Sequence, residues 1–185
     1  MRYRRADAPG ASYFFTVNLA ERQRRLLVEH VDALREVIRG VRQRHPFFIE
    51  AMVILPDHLH ALWTLPEGDA DFATRWALIK AGFSRRLQPG EGINPSRLAK
   101  RERGIWQRRF WEHLIRSDED FARHVDYIHW NPCKHGHATR PVDWPYSSVH
   151  RYIAEGKQLP DWGGDGNTTG NFGEPDEQSD GRRSG

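Results

Sequence analysis

Two apolar runs that meet at a Pro-Asp turn are the feature that most constrains this sequence. Residues 52–55 form the first run and residues 59–65 form the second, with Pro56-Asp57 between them. Proline and aspartate are typical of turns, and side chains alternate between the two faces of a strand. The second run therefore places His58 and His60 on the same face. The sequence predicts a β-hairpin that aims two imidazoles in one direction.

The two histidines allow two interpretations. Neutral imidazoles are common ligands of divalent metals, but most metal sites require a third or a fourth donor. The chain contains ten histidines, so a pair at this spacing also arises by chance. Considered alone, His58 and His60 are compatible with a metal pair and with solvated or core-edge side chains.

The other hydrophobic patterns give the order of elements around the hairpin. Strands are predicted at residues 13–19, 47–55, 59–65 and 105–115, and helices at residues 31–45, 72–86 and 118–131. Asp71 and Ser117 are suitable N-caps for the second and third helices. The resulting β-α-β-β-α-β order predicts an α+β, ferredoxin-like split βαβ fold. This fold has a four-stranded antiparallel sheet with helices on one face, followed here by a C-terminal helix.

Several local expectations accompany this order. Arg75 lies off the apolar stripe of the second helix, which indicates a solvated charged face. Residues 89–103 are rich in glycine, proline and charge and are expected to form a loop. Pro132 should end or kink the third helix at Asn131. Residues 141–153 are expected to form an ordered cover with a short helix.

Composition divides the chain into one domain, residues 1–162, and a disordered acidic tail, residues 163–185. The tail holds two of the 28 basic and five of the 25 acidic side chains, so the domain carries a net charge of +6. A basic domain favours a polyanionic partner. The arginines expected to bind such a partner are Arg4, Arg5, Arg85, Arg86, Arg108 and Arg109.

The single cysteine, Cys133, indicates a reducing compartment such as the cytoplasm, because it has no partner for an internal disulfide. The sequence shows no signal peptide and no apolar run long enough to cross a membrane. A monomer and a homodimer are both compatible with it.

A tyrosine and an amide complete a candidate reactive constellation. Tyr127 and Asn131 lie one helical turn apart on the third helix, where Asn131 offers a carbonyl oxygen as a third metal donor. Tyr127 offers a hydroxyl that could attack phosphorus. This mixed nitrogen and oxygen donor set suits Mg²⁺ or Mn²⁺. The helix spacing places His124 and Asn131 within one turn of Tyr127, and it predicts no lysine or glutamate beside the hydroxyl.

With these motifs the sequence resembles the REP-associated tyrosine transposases, relatives of the single-tyrosine insertion-sequence transposases within the HUH endonucleases. The resemblance covers residues 2–163. Its motifs are YFFTVN at residues 13–18, LPDHLH at 55–60, FSRRL at 83–87, WQRRFWEH at 106–113, YIHWNP at 127–132 and DWPYSS at 143–148.

The resemblance implies a metal-dependent transposase that cleaves and rejoins single-stranded DNA near hairpin-forming repeats. It implies a 5′-phosphotyrosine intermediate on Tyr127 and a free 3′-hydroxyl. His58, His60 and Asn131 would hold the metal. The third helix would then be the catalytic helix.

Two other functions remain open from the residues alone. A non-catalytic module on the same scaffold could bind nucleic acid by stacking bases on strand aromatics such as Phe14 or Trp63. A metallohydrolase could attack with water instead of a side chain. Tyr127 distinguishes these possibilities, because only the phosphotyrosine reaction requires its hydroxyl.

Overall fold

The computed structural model describes residues 8–88, 103–164 and 172–174 of the chain. Four strands and five helices follow one another in these residues, together with one 3₁₀ turn at Pro141–Asp143. In chain order the elements are β1 (Ser12–Asn18), α1 (Leu26–Glu29), α2 (Val31–Arg44), β2 (Phe48–Ile54), β3 (His58–Thr64), α3 (Phe72–Arg86), β4 (Trp111–Leu114), α4 (Asp118–Lys134) and α5 (Val149–Ala154).

The four strands form one antiparallel sheet in the order β2-β3-β1-β4. β2 and β3 are the predicted hairpin, and β1 lies between β3 and β4. The register aligns Thr16 with His60 and Asn18 with His58. This topology confirms the predicted α+β, ferredoxin-like split βαβ fold.

Each face of the sheet is covered by a different set of helices. Helices α2 and α3 pack on the face that carries Trp63, whose ring stacks on Trp76 with a centroid separation of 4.2 Å. Helix α4 packs on the opposite face, where Phe14 and Leu62 meet Ile128. Because strand side chains alternate, the two histidines of β3 belong to the face covered by α4. The fold thereby places the imidazoles against the helix that carries Tyr127.

The predicted helix starts are confirmed by their caps. Asp71 Oδ1 accepts a hydrogen bond from Thr74 N at 3.0 Å, and Ser117 Oγ accepts one from Asp120 N at 3.1 Å. Both caps satisfy backbone N–H groups that have no partner within the helix. Gly82 lets α3 approach α2 closely, since a Cβ at this position would lie 2.7 Å from Val37 Cγ1.

Three local predictions are wrong. Helix α4 does not end at Asn131 but continues through Pro132 to Lys134, and His135 N still donates to Asn131 O. The fourth strand spans only Trp111–Leu114, because the preceding segment joins the sheet at one isolated bridge. Arg75 is buried and not solvated, since Asp69 pairs with its guanidinium at 2.6 Å.

The structure describes three residues near the middle of the predicted tail. Phe172, Gly173 and Glu174 return to the α4 face of the sheet, and Phe172 is buried there. The expected loop at residues 89–102 lies outside the described residues. Within the ranges described above, no helix is long and apolar enough to cross a membrane.

Candidate metal centre and nucleophile

Strand β3 presents two buried imidazoles to helix α4. The rings of His58 and His60 are 5.0 Å apart between centroids, and both side chains are almost completely excluded from solvent. Their partners across β1 are polar: Asn18 lies opposite His58, and Thr16 lies opposite His60. The strand thus provides a polar strip in an otherwise apolar face.

A carboxylate fixes the orientation of His58. Asp57 Oδ1 lies 2.7 Å from His58 Nδ1, and Arg22 Nε donates to Asp57 Oδ2 at 2.7 Å. Because a carboxylate only accepts, the Nδ1 atom carries a proton, and in the neutral ring Nε2 retains its lone pair. Burial opposes the shift, but the hydrogen bond with Asp57 and the nearby Glu174 carboxylate raise the pKa of His58. His58 Nε2 is buried and accepts no hydrogen bond from any residue that the structure describes.

A hydroxyl fixes the orientation of His60 in the same way. Thr16 Oγ1 donates its single proton to the Phe172 carbonyl at 2.6 Å, and it lies 2.9 Å from His60 Nδ1. The ring must therefore donate from Nδ1 to the Thr16 oxygen, which leaves a lone pair on His60 Nε2. Both imidazoles hold their protons at Nδ1 and turn Nε2 toward α4.

Helix α4 supplies the amide and the tyrosine opposite these rings. Asn131 and Tyr127 are fully buried one turn apart, and the Tyr127 ring lies 5.3 Å from the His60 ring between centroids. Asn131 Oδ1 is another buried atom that no described residue hydrogen-bonds. The structure therefore brings His58, His60, Tyr127 and Asn131 to one pocket.

Glu174 reaches the same pocket from the tail. Its Oε1 lies 2.8 Å from His60 Nε2 and accepts from Asn131 Nδ2 at 2.8 Å. The same oxygen lies 3.3 Å from His135 Nε2, and the other carboxylate oxygen pairs with Lys134. A carboxylate oxygen facing the Nε2 lone pair of a neutral imidazole is unfavourable unless a cation or a proton joins them.

Burial and charge shift the pKa values of the pocket residues. Burial, only partly offset by the hydrogen bond with Glu174, lowers the pKa of His60 to about 4. Burial opposes the pKa shift of Asp57, but hydrogen bonds from His58 and Arg22 lower its pKa to about 2. Burial and the nearby Glu174 charge raise the pKa of Tyr127 above its ordinary value. At neutral pH the pocket thus holds a neutral His60 and a protonated Tyr127.

The donor set fits a divalent cation. His58 Nε2 and Asn131 Oδ1 have no hydrogen-bond partner among the described residues, and the Glu174 carboxylate lies beside His60 Nε2. Imidazole nitrogens, amide oxygens and carboxylates are all ligands that divalent metal ions use in proteins. His58, His135 and Glu174 also form a group whose ligand atoms lie within 4.8 Å of one another.

Sequence reasoning missed three residues of this pocket. His135 follows Asn131 by one helical turn, a spacing that would have indicated it if α4 had been expected to continue. Lys134 lies two turns after Tyr127, and its Nζ donates to Tyr127 Oη at 3.0 Å. No local sequence pattern indicates that Glu174 belongs to the pocket. His124, one turn before Tyr127 on α4, stacks on His113 with a centroid separation of 4.7 Å.

The arginines expected to bind DNA lie elsewhere. Arg85 and Arg108 line a cleft of about 700 Å³ between α3 and the segment before β4, which shares no residue with the histidine pocket. Arg86 pairs with Glu36, and Arg109 is exposed. Arg4 and Arg5 lie outside the described residues.

Comparisons with known proteins agree on one family. The chain is 46% identical over 164 residues to a protein of Haemophilus influenzae and 45% identical over 163 residues to one of Escherichia coli K12, both named as REP-associated tyrosine transposases. These alignments cover 88% of this chain and 93% and 91% of the two relatives. No protein-family model matches the chain.

A solved structure shows the same relationship. It is described as a REP-associated tyrosine transposase bound to a REP hairpin and is 44% identical in sequence. The superposition has a TM-score of 0.79 and covers 92% of this chain and 94% of the other. Because it covers most of both chains, the shared fold includes the sheet and helix α4.

Proposed function

The chain belongs to the REP-associated tyrosine transposases, enzymes that act on DNA, and from this premise we propose a specific reaction for it. The protein cleaves and rejoins single-stranded DNA beside hairpin-forming repeats, with Tyr127 as the nucleophile and a 5′-phosphotyrosine as the covalent intermediate. One observation carries this proposal: the Tyr127 ring lies 5.3 Å from that of His60, within a pocket of converging metal donors. A protein that only binds DNA has no need of this arrangement.

His58, His60 and Asn131 are the proposed ligands of one divalent metal, Mg²⁺ or Mn²⁺. His58 Nε2 and Asn131 Oδ1 have no hydrogen-bond partner among the described residues, and the hydrogen bonds to Asp57 and Thr16 hold both imidazoles in the tautomer that ligation requires. When bound, the metal would polarise the scissile phosphate and neutralise part of its charge.

The reaction at Tyr127 replaces one phosphate ester by another. The Tyr127 oxygen forms a bond to phosphorus while the bond from phosphorus to the 3′-oxygen of the upstream strand breaks. The phenol proton leaves to water, and the departing 3′-oxygen takes up a proton to become a free hydroxyl. Rejoining is the reverse reaction, in which a 3′-hydroxyl attacks the phosphotyrosine.

The DNA partner is proposed to be a single strand that carries a hairpin. Exposed arginines at Arg85 and Arg108 flank an open cleft, and Arg86 and Arg109 follow them directly in sequence. Guanidinium groups in such positions pair with phosphates, which fixes the register of the strand without reading its sequence. Arg4 and Arg5 are proposed as further contacts.

A labelled hairpin-bearing single strand tests the reaction. The wild-type protein with Mg²⁺ should form a covalent adduct that survives denaturation, and its formation should stop when the metal is chelated. Tyr127→Phe removes one oxygen and keeps the ring, so it should bind the DNA but form neither adduct nor cleaved strand.

Tyr152→Phe is the matched control. The Tyr152 hydroxyl, on α5, donates a hydrogen bond to Glu50 O in β2. Loss of this hydroxyl should leave adduct formation unchanged. Cleavage by Tyr127→Phe at a rate near that of the wild type would indicate attack by water. DNA binding without cleavage by the wild type would favour the non-catalytic module instead.

A further inference from the structure

We propose that Lys134 is a catalytic residue of strand cleavage, whose ammonium group contacts both the Tyr127 oxygen and the scissile phosphate. The inference rests on the proposed function, because it assigns a partner to the nucleophile of that reaction. Lys134 Nζ donates a hydrogen bond to Tyr127 Oη at 3.0 Å. It also lies 4.9 Å from the centroid of the Tyr127 ring.

The continuation of α4 past Pro132 creates this contact. Seven residues span about two helical turns, so the side chains of Tyr127 and Lys134 project from the same face of the helix. Lys134 is the last residue of α4, and its side chain is 38% exposed, whereas Tyr127 is buried. The ammonium group therefore remains partly hydrated at the mouth of the pocket while it donates inward.

A second contact shows how the ammonium group meets an anion. Lys134 pairs with one carboxylate oxygen of Glu174, while the other oxygen accepts from Asn131 and lies beside His60. The ammonium group thus bridges the Tyr127 oxygen to an anion held at the proposed metal ligands. A phosphodiester also presents two oxygens that share one negative charge. In this respect the Glu174 carboxylate stands in for the scissile phosphate.

This bridge suits both directions of the reaction. During cleavage, the Lys134 ammonium group donates to a non-bridging phosphate oxygen and to the attacking oxygen of Tyr127, while the phenol proton leaves to water. During rejoining, the same ammonium group stabilises the phenolate that departs from phosphorus. A donor already in place where charge develops requires no rearrangement during the step.

Lys134→Met tests the inference, because it keeps the length of the stem and removes the charge. Under single-turnover conditions at saturating hairpin DNA, adduct formation should slow about 100-fold, the usual effect of losing one such donor. The dissociation constant for DNA should change by less than about threefold, because the interaction is made mainly in the transition state. Lys134→Arg should restore part of the rate. Rejoining by purified adducts should slow in parallel.

Two controls separate chemistry from structure. Lys157→Met removes a lysine that pairs with Glu155 away from the pocket and should leave every rate unchanged. Comparing Lys134→Met/Glu174→Gln with Glu174→Gln alone, both at saturating Mg²⁺, removes any effect that comes only from the lost ion pair. An unchanged adduct rate in Lys134→Met would overturn the role of Lys134 and leave the proposed function standing. The absence of any adduct in the wild type would overturn both.

Discussion

Asp57 and His58 are adjacent in sequence, and yet their side chains meet as a carboxylate–imidazole pair, with Asp57 Oδ1 lying 2.7 Å from His58 Nδ1. The turn that separates β2 from β3 makes this possible, because it places Asp57 just outside the strand that begins at His58. Such a pair orients a ligand histidine and increases its basicity. Asp57, which ends the turn, therefore also orients the His58 imidazole.

Asp57→Asn should weaken divalent metal binding by about 10- to 100-fold, the usual effect of removing a carboxylate behind a ligand histidine. Calorimetric titration with Mn²⁺ in the absence of DNA measures this directly. Asp32→Asn is the control, because Asp32 is exposed on α2 and pairs only loosely with Arg35 at 3.6 Å. Equal Mn²⁺ affinities for wild type and Asp57→Asn would contradict the proposed role of His58.

The strands and helices could be predicted because their patterns are local. Alternation along β3 placed His58 and His60 on one face, and the spacing of Tyr127 and Asn131 placed those side chains one turn apart. The topology of a split βαβ unit then leaves few ways to combine the strand with the helix. These local patterns were sufficient to predict the fold and the centre of the pocket.

The features that the sequence did not predict depend on contacts between residues that no local pattern encodes. Glu174 lies 43 residues after Asn131 and reaches the pocket because Phe172 packs on Tyr127, with ring centroids 3.6 Å apart. The polar composition of the tail indicated disorder, since few apolar residues offset the entropy of ordering it. Arg75 was assigned to solvent because it lies off the apolar stripe of its helix, a pattern that does not show that Asp69 compensates its burial.

Glu174→Gln should lower the affinity for Mn²⁺ in the absence of DNA. The carboxylate lies beside His60 Nε2, and a charged oxygen is a stronger ligand for a hard cation than a neutral amide oxygen. Titration of the two proteins under the same conditions measures the change. Glu155→Gln, at an exposed carboxylate, should have no effect. Tighter binding by Glu174→Gln would mean that the carboxylate competes with the metal instead of binding it.

Arg85→Ala and Arg108→Ala should each weaken hairpin DNA binding, and the loss should be largest at low salt. If each arginine neutralises one phosphate, the slope of log affinity against log salt should become shallower by about 0.7 to 0.9 per substitution. Fluorescence anisotropy over a range of salt concentrations measures this slope. Arg140→Ala serves as the control, since Asp143 already pairs with Arg140 at 2.7 Å. An unchanged slope would place the DNA on another surface.

Asp120 should make stability depend on pH in the acid range. Burial opposes the change, but hydrogen bonds from His113, Arg123 and the Arg116 N–H lower the pKa of Asp120 from 3.8 to about 2. The unfolded carboxyl group binds a proton more readily than the folded one. Its stabilising contribution is therefore present above pH 4 and is lost as the pH falls toward 2.

Asp120→Asn should thus lower the free energy of unfolding by about 1 kcal/mol at pH 6, a value that allows for screening by solvent. At pH 2 the two proteins should differ far less, because the wild-type carboxyl group is then protonated in the unfolded state and about half protonated in the folded state. Urea denaturation at both pH values gives the two differences, and the titrating groups that do not contact Asp120 cancel between the variants. A difference that stays constant from pH 6 to pH 2 would show that the contacts of Asp120 do not depend on its charge.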